Sequence, residues 1–138
     1  MKILFLLITI SASGIFNMAA KWIAGRHRPK NLFNHGLYGF DFFETIYEST
    51  SFPSDHAMTV FSLATAISIL YPRAGIIVFP AAIAIAASRV ILNSHFVVDI
   101  IASAVFGVIC ALAVKYYFDR FKVDLLNQPA EKDKSSVT

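Results

Sequence analysis

Cysteine is almost absent: Cys110 is the single one in 138 residues, so an intrachain disulfide is excluded. It lies in the middle of an apolar run without a neighbouring cation, which marks it as packing rather than a reactive thiol. Charge is scarce as well. Only 15% of residues are charged against 57% hydrophobic, and the mean hydropathy is +0.62. An ordinary soluble domain does not carry that balance, so the class is integral membrane protein. The net charge of +3 and a pI near 9.1 favour anions in general. The basic residues stand at segment ends and form no stripe on a soluble face, so nucleic acid is not an expected partner.

Four apolar segments are present. The first, Ile3 to Ala20, carries no charge and is long enough to cross a bilayer. Ala57 to Tyr71 is shorter and needs its ends buried in protein, and Pro72-Arg73 makes the turn after it. Gly75 to Leu92 holds one charge, Arg89, and Asn93-Ser94 breaks it. Phe96 to Tyr117 follows, with Asp99 near its start. Each pass should be a helix, because a helix satisfies its own backbone hydrogen bonds in lipid. The two-residue alternation of barrel strands is missing. Small residues crowd the third segment (Ala81, Ala82, Ala84, Ala86, Ala87, Ser88) and would let helices approach closely. Residues 1–123 therefore read as one all-α transmembrane bundle, and residues 124–138 as a polar, disordered cytoplasmic tail.

Lys2, the run from Ile3 to Ile10, and small residues at Ser11 and Ser13 also fit a secretory signal peptide. The apolar character continues to Ala20, which favours a retained helix. Alternating passes put Lys2, Arg73, Lys115, Arg120 and Lys122 on one side, and Lys21, His56, Arg89 and His95 on the other. The positive-inside rule assigns the first group to the cytoplasm. The second group is then expected to face the periplasm or exterior of a bacterial inner membrane. Between Lys30 and Phe52 lies an aromatic segment with Phe33, Tyr38, Phe40, Phe42, Phe43 and Tyr47. It suits an interfacial belt and also a wall guiding a lipid tail.

Ionisable groups at these depths are costly to desolvate and are functional candidates by default. Lys21 can act as a point charge, while Arg28, six residues on and followed by Pro29, offers a planar fork of donors for phosphate. Taken alone, both could simply snorkel to the interface. Pro53-Ser54-Asp55-His56 precedes an apolar helix, whose start presents free N–H groups to an anion. Ser54 is either a phosphate donor or an ordinary N-cap. His56 is a candidate general acid. The Asp55 carboxylate would repel phosphate and is expected to point away or to pair with a cation.

His95 and Asp99 are four residues apart and share one helical face. A carboxylate bonded to one ring nitrogen would expose the other as nucleophile or base. Metal binding is the rival use of such a pair, and the cations Arg89, Lys21 and Arg28 oppose it. A structural bond joining two helices is the plainest alternative.

At these residues the chain resembles the type 2 phosphatidic acid phosphatase superfamily, which includes bacterial acid phosphatases and vanadium haloperoxidases. Its pattern is Lys, six residues, Arg-Pro; then Pro-Ser-Gly-His; then Ser-Arg, five residues, His, three residues, Asp. Lys21, Arg28 and Pro29 match the first part, Pro53, Ser54 and His56 the second, and Ser88, Arg89, His95 and Asp99 the third. The resemblance implies a phosphohydrolase without metal or other cofactor. In it His95 attacks phosphorus, Asp99 orients it, and His56 protonates the leaving oxygen. Lys21, Arg28, Ser54, Arg89 and the backbone N–H of Asp55 would hold the phosphoryl oxygens.

Asp55 stands where the family has glycine, a variant similar to that of some bacterial undecaprenyl-diphosphate phosphatases. Membrane members usually have six helices, and this chain begins at the equivalent of the third. A partner, self-association or two further helices are therefore expected. The substrate ranked first is undecaprenyl diphosphate. Phosphatidic acid, phosphatidylglycerophosphate and lipid A phosphates are the alternatives within the same chemistry. A non-catalytic binder of phosphate lipids, or a truncated remnant, is the alternative outside it. A small anion transporter fits less well, since the polar groups gather at one end and trace no path across.

Overall fold

The computed structural model describes residues 1–27, 29, 33–34, 36, 43 and 51–121. Arg28, most of the aromatic segment and the tail expected from residue 124 lie outside the described residues. The described residues form four α-helices: α1 (Lys2–Ala24), α2 (Asp55–Leu70), α3 (Gly75–Ile91) and α4 (Val97–Arg120). A single 3₁₀ turn at Pro72–Ala74 joins α2 to α3. No strand of a sheet appears among them.

The first helix runs a full turn beyond the apolar run, through Lys21, and stops at Gly25 in the left-handed conformation (φ 49°, ψ 43°). That conformation suits glycine, which has no Cβ to clash. α1, the 3₁₀ turn with α3, and α4 are each long and apolar enough to cross a membrane. α2 is the exception. Its 16 residues reach about 24 Å at 1.5 Å per residue, short of a bilayer core of about 30 Å. It tolerates this because it is the central helix, packed against α1, α3 and α4.

The helices alternate in direction. Lys2, at the start of α1, stands 5.0 Å from the centre of the Tyr71 ring just past the end of α2. At the same end Phe5, Ala66, Leu70, Val114 and Phe118 form an apolar core, with Phe5 and Phe118 edge to face at 5.4 Å. At the opposite end a smaller cluster, Ala57, Ala86 and Ile100, supports the polar groups described below. The outer faces of α1, α3 and α4 remain apolar and exposed, as at Ile15, Ile76 and Ile109, which suits contact with lipid.

The small residues of α3 contribute less than their number suggests. Only Ala82 and Ala86 are buried, while Ala81, Ala84 and Ala87 face outward. The tightest approach lies instead between α4 and α2. A Cβ at Gly107 would stand 2.6 Å from the carbonyl oxygen of Met58 and 3.0 Å from the amide nitrogen of Ser62.

Candidate active site

The inward face of α1 is a polar ladder. Thr9, Ser13 and Asn17 are buried at four-residue intervals, and Lys21 continues the series near the helix end. Ser62 of α2 donates to the Ser13 hydroxyl at 3.2 Å. One turn of α1 later, Asn17 Nδ2 and Lys21 Nζ donate to the two carboxylate oxygens of Asp55. Asp55 is the first residue of α2. Its carboxylate is thus turned toward α1 and paired with a cation, as expected from the sequence. The pair sits at one end of a groove of about 880 Å³ along α1, lined by Gly14, Ile15, Met18 and Trp22.

Ser54 is fully buried and caps α2: its Oγ accepts from the Ala57 N–H at 3.4 Å. The hydroxyl proton stays available for donation, because accepting a bond uses only a lone pair. The Ser54 N–H donates to Ser103 Oγ at 2.7 Å, and Ser103 in turn donates to the Asp99 main-chain oxygen at 2.6 Å. These bonds fix the start of α2 against α4. The first turn of α2 leaves N–H groups without helical partners and carries the favourable end of the helix dipole. His56 is exposed at this mouth.

His95 is 4% exposed and Asp99 is fully buried. The four-residue spacing suggested a direct bond between them. The contact found on His95 Nδ1 is with the main-chain carbonyl of Ser51, at 2.7 Å. Asp99 is engaged elsewhere. Arg26 pairs with Oδ1, and Oδ2 accepts from the Ser51 hydroxyl at 2.7 Å and from the Phe96 N–H at 3.0 Å. The last bond lets Asp99 cap its own helix. A buried carboxylate needs such neutralisation. Arg26 also lies 4.6 Å from the centre of the Phe96 ring.

Arg89 occupies the last turn of α3. Its carbonyl accepts from the Ser94 N–H at 3.0 Å, and Asn93 takes a positive φ of 52°, a conformation asparagine tolerates. This tight reversal carries Arg89 on one limb and His95 on the other. Arg89 Nε is buried and has no hydrogen-bond partner among the described residues. Ser88 turns away, donating to Ile85 O within its own helix at 2.6 Å. No group of three His, Cys, Asp or Glu side chains among the described residues could hold a metal ion.

Asn17, Arg26, Ser51 and Ser103 were missed by sequence reasoning. Two had a signal. Asn17 stands four residues before Lys21 on the same face, and Ser103 four residues after Asp99. Arg26 was visible only as one more cation in a basic stretch, and Ser51 had nothing to mark it.

Comparison with known proteins matches residues 2–122 to the model of the PAP2 superfamily. Two curated proteins are similar. A lipid A 1-phosphatase of Rhizobium johnstonii is 31% identical over 116 residues, 84% of this chain and 48% of that protein. A lipid A 1-phosphatase of Rhizobium etli is 32% identical over 103 residues, 75% of this chain and 44% of that protein. The chain thus spans about half the length of the curated relatives it matches. No solved structure matches it significantly.

Proposed function

The chain belongs to the PAP2 superfamily, and on that footing we propose that it is a membrane phosphatase acting on a lipid phosphate or diphosphate. The observation that carries the reading is the buried His95, whose Nδ1 meets a carbonyl oxygen. A carbonyl only accepts, so Nδ1 bears the proton and the neutral ring keeps its lone pair on Nε2.

In the proposed reaction Nε2 attacks phosphorus, and the bond from phosphorus to the lipid oxygen breaks. That oxygen takes a proton from His56. Water then attacks the phosphohistidine, His56 accepts a proton from it, and the N–P bond breaks to release phosphate. Lys21, Arg28, Ser54, Arg89 and the first N–H groups of α2 would hold the phosphoryl oxygens. Fixed donors around developing charge are the main resource in phosphoryl transfer. Arg89 Nε, buried and without a hydrogen-bond partner among the described residues, suits such an oxygen. The groove beside Lys21 suits an acyl or prenyl tail.

A phosphate of the lipid A class is the substrate reading supported by the two relatives. Undecaprenyl diphosphate is retained as the second reading, on the single observation of Asp55 in the place of glycine. Lys2, Arg73, Lys115 and Arg120 at the end opposite the site support placement in a bacterial inner membrane, with the site toward the periplasm.

The test is phosphate release by the purified protein from lipid A and from undecaprenyl diphosphate in excess EDTA, with His95→Ala as control. Release from lipid A that survives the chelator and disappears in the variant is expected. Turnover of undecaprenyl diphosphate alone would reverse the substrate order. No turnover of any phosphorylated lipid would leave a binding protein.

A further inference from the structure

Three polar groups of Ser51 are all in use, and all lead to the same place. Its N–H donates to the Arg26 carbonyl at 2.8 Å. Its hydroxyl donates to Asp99 Oδ2 at 2.7 Å, and its carbonyl meets His95 Nδ1 at 2.7 Å. Arg26 and Asp99 are themselves an ion pair. Ser51 is fully buried, so water does not substitute for any of these partners at low cost.

We propose that Ser51 is a positioning residue for His95, through which the Arg26–Asp99 pair fixes the tautomer and direction of the imidazole. The proposal rests on the reading of His95 as nucleophile. Asp99 then holds the histidine from two sides. It binds the main chain one residue later, at Phe96, and it holds the Ser51 segment whose carbonyl receives the Nδ1 proton. The carboxylate does not need to touch the ring. Because Arg26 balances its charge, the ring sees a carbonyl dipole rather than a bare anion. Nε2 keeps the lone pair that attacks, and Nδ1–H keeps its partner when the ring becomes positively charged on phosphorylation. Groups that orient a reacting side chain in this way are worth about 10- to 100-fold in activity.

The test has two arms on the full chain. The first is ¹⁵N NMR of histidine-labelled wild type at a pH where imidazole is neutral. The chain has four histidines, so the His95 signals are assigned by their loss in His95→Gln. The expected result is a single tautomer protonated on Nδ1. A ring protonated on Nε2, or a mixture in the wild type, overturns the proposal without reference to any variant's folding.

The second arm measures lipid-phosphate turnover in Ser51→Ala, Ser51→Thr, Asp99→Asn and the double variant Ser51→Ala/Asp99→Asn. Ser51→Ala should lower kcat about 10- to 100-fold while KM changes little, with partial recovery in Ser51→Thr. The double variant should be hardly worse than Asp99→Asn, since residues acting in one chain are not additive. Wild-type kcat in Ser51→Ala, or fully additive losses, overturns the role of Ser51 alone. Full activity in His95→Ala overturns the nucleophile reading and the proposal with it.

Discussion

Gly107 of α4 lies directly against the main chain of Met58 in α2, and a Cβ there would stand 2.6 Å from the Met58 carbonyl oxygen. Both obstructing groups, Met58 O and Ser62 N, are backbone and cannot swing aside. Membrane helices associate through close packing, so this contact sets how near α4 comes to the helix whose first turn is the proposed anion cradle. Gly107→Ala should therefore destabilise the protein by about 1–3 kcal/mol, the usual cost of overpacking. Thermal unfolding in detergent would read this as a lower Tm, accompanied by reduced turnover. An unchanged Tm would show that the helices separate without cost.

The pairing of Lys21 with Asp55 has a consequence for substrate binding. On the proposed reading the carboxylate holds a cation that the phosphate would use, and its own charge repels an anion. Asp55→Asn keeps the backbone N–H and removes the charge. KM for a lipid phosphate should fall, by no more than about fivefold, since the carboxylate is half exposed and such pairs are worth under about 1 kcal/mol. A higher KM would mean that Asp55 positions Lys21 rather than competing for it.

In the proposed reaction His56, exposed at the start of α2, protonates the leaving oxygen. An activated aryl phosphate departs with little protonation, whereas a lipid alkoxide needs a proton. His56→Ala should accordingly lose about 10²- to 10⁴-fold on a lipid ester and far less on the aryl substrate. Equal losses on the two substrates would assign His56 to structure.

Sequence showed the helices and the motif residues because both leave local traces. Apolar runs reported the passes to within a turn or two. The first overshot its run, since Lys21 to Ala24 extend α1 until Gly25 stops it. Ionisable groups stood out because lipid-buried segments rarely contain them. The partners of those groups were not legible. Asp99 reads as a companion of His95 from spacing alone, yet its oxygens go to Arg26, Ser51 and the Phe96 N–H. Ser51 and Arg26 come from segments whose approach to α4 is decided by tertiary packing. Nor does a run of alanines say which face is used: α3 buries two of them, and a lone glycine on α4 makes the closest contact.

In the proposed reaction Nε2 of His95 carries the phosphoryl group between the two half-reactions. Rapid quenching in alkaline detergent during turnover of a ³²P-labelled lipid phosphate, followed by isomer-specific analysis of phosphohistidine, is the decisive experiment. An acid-labile Nε2-phosphohistidine is expected at residue 95 in the wild type and not in His95→Ala. Label on Nδ1, label on another residue, or full turnover by His95→Ala would show that Nε2 of His95 is not the nucleophile.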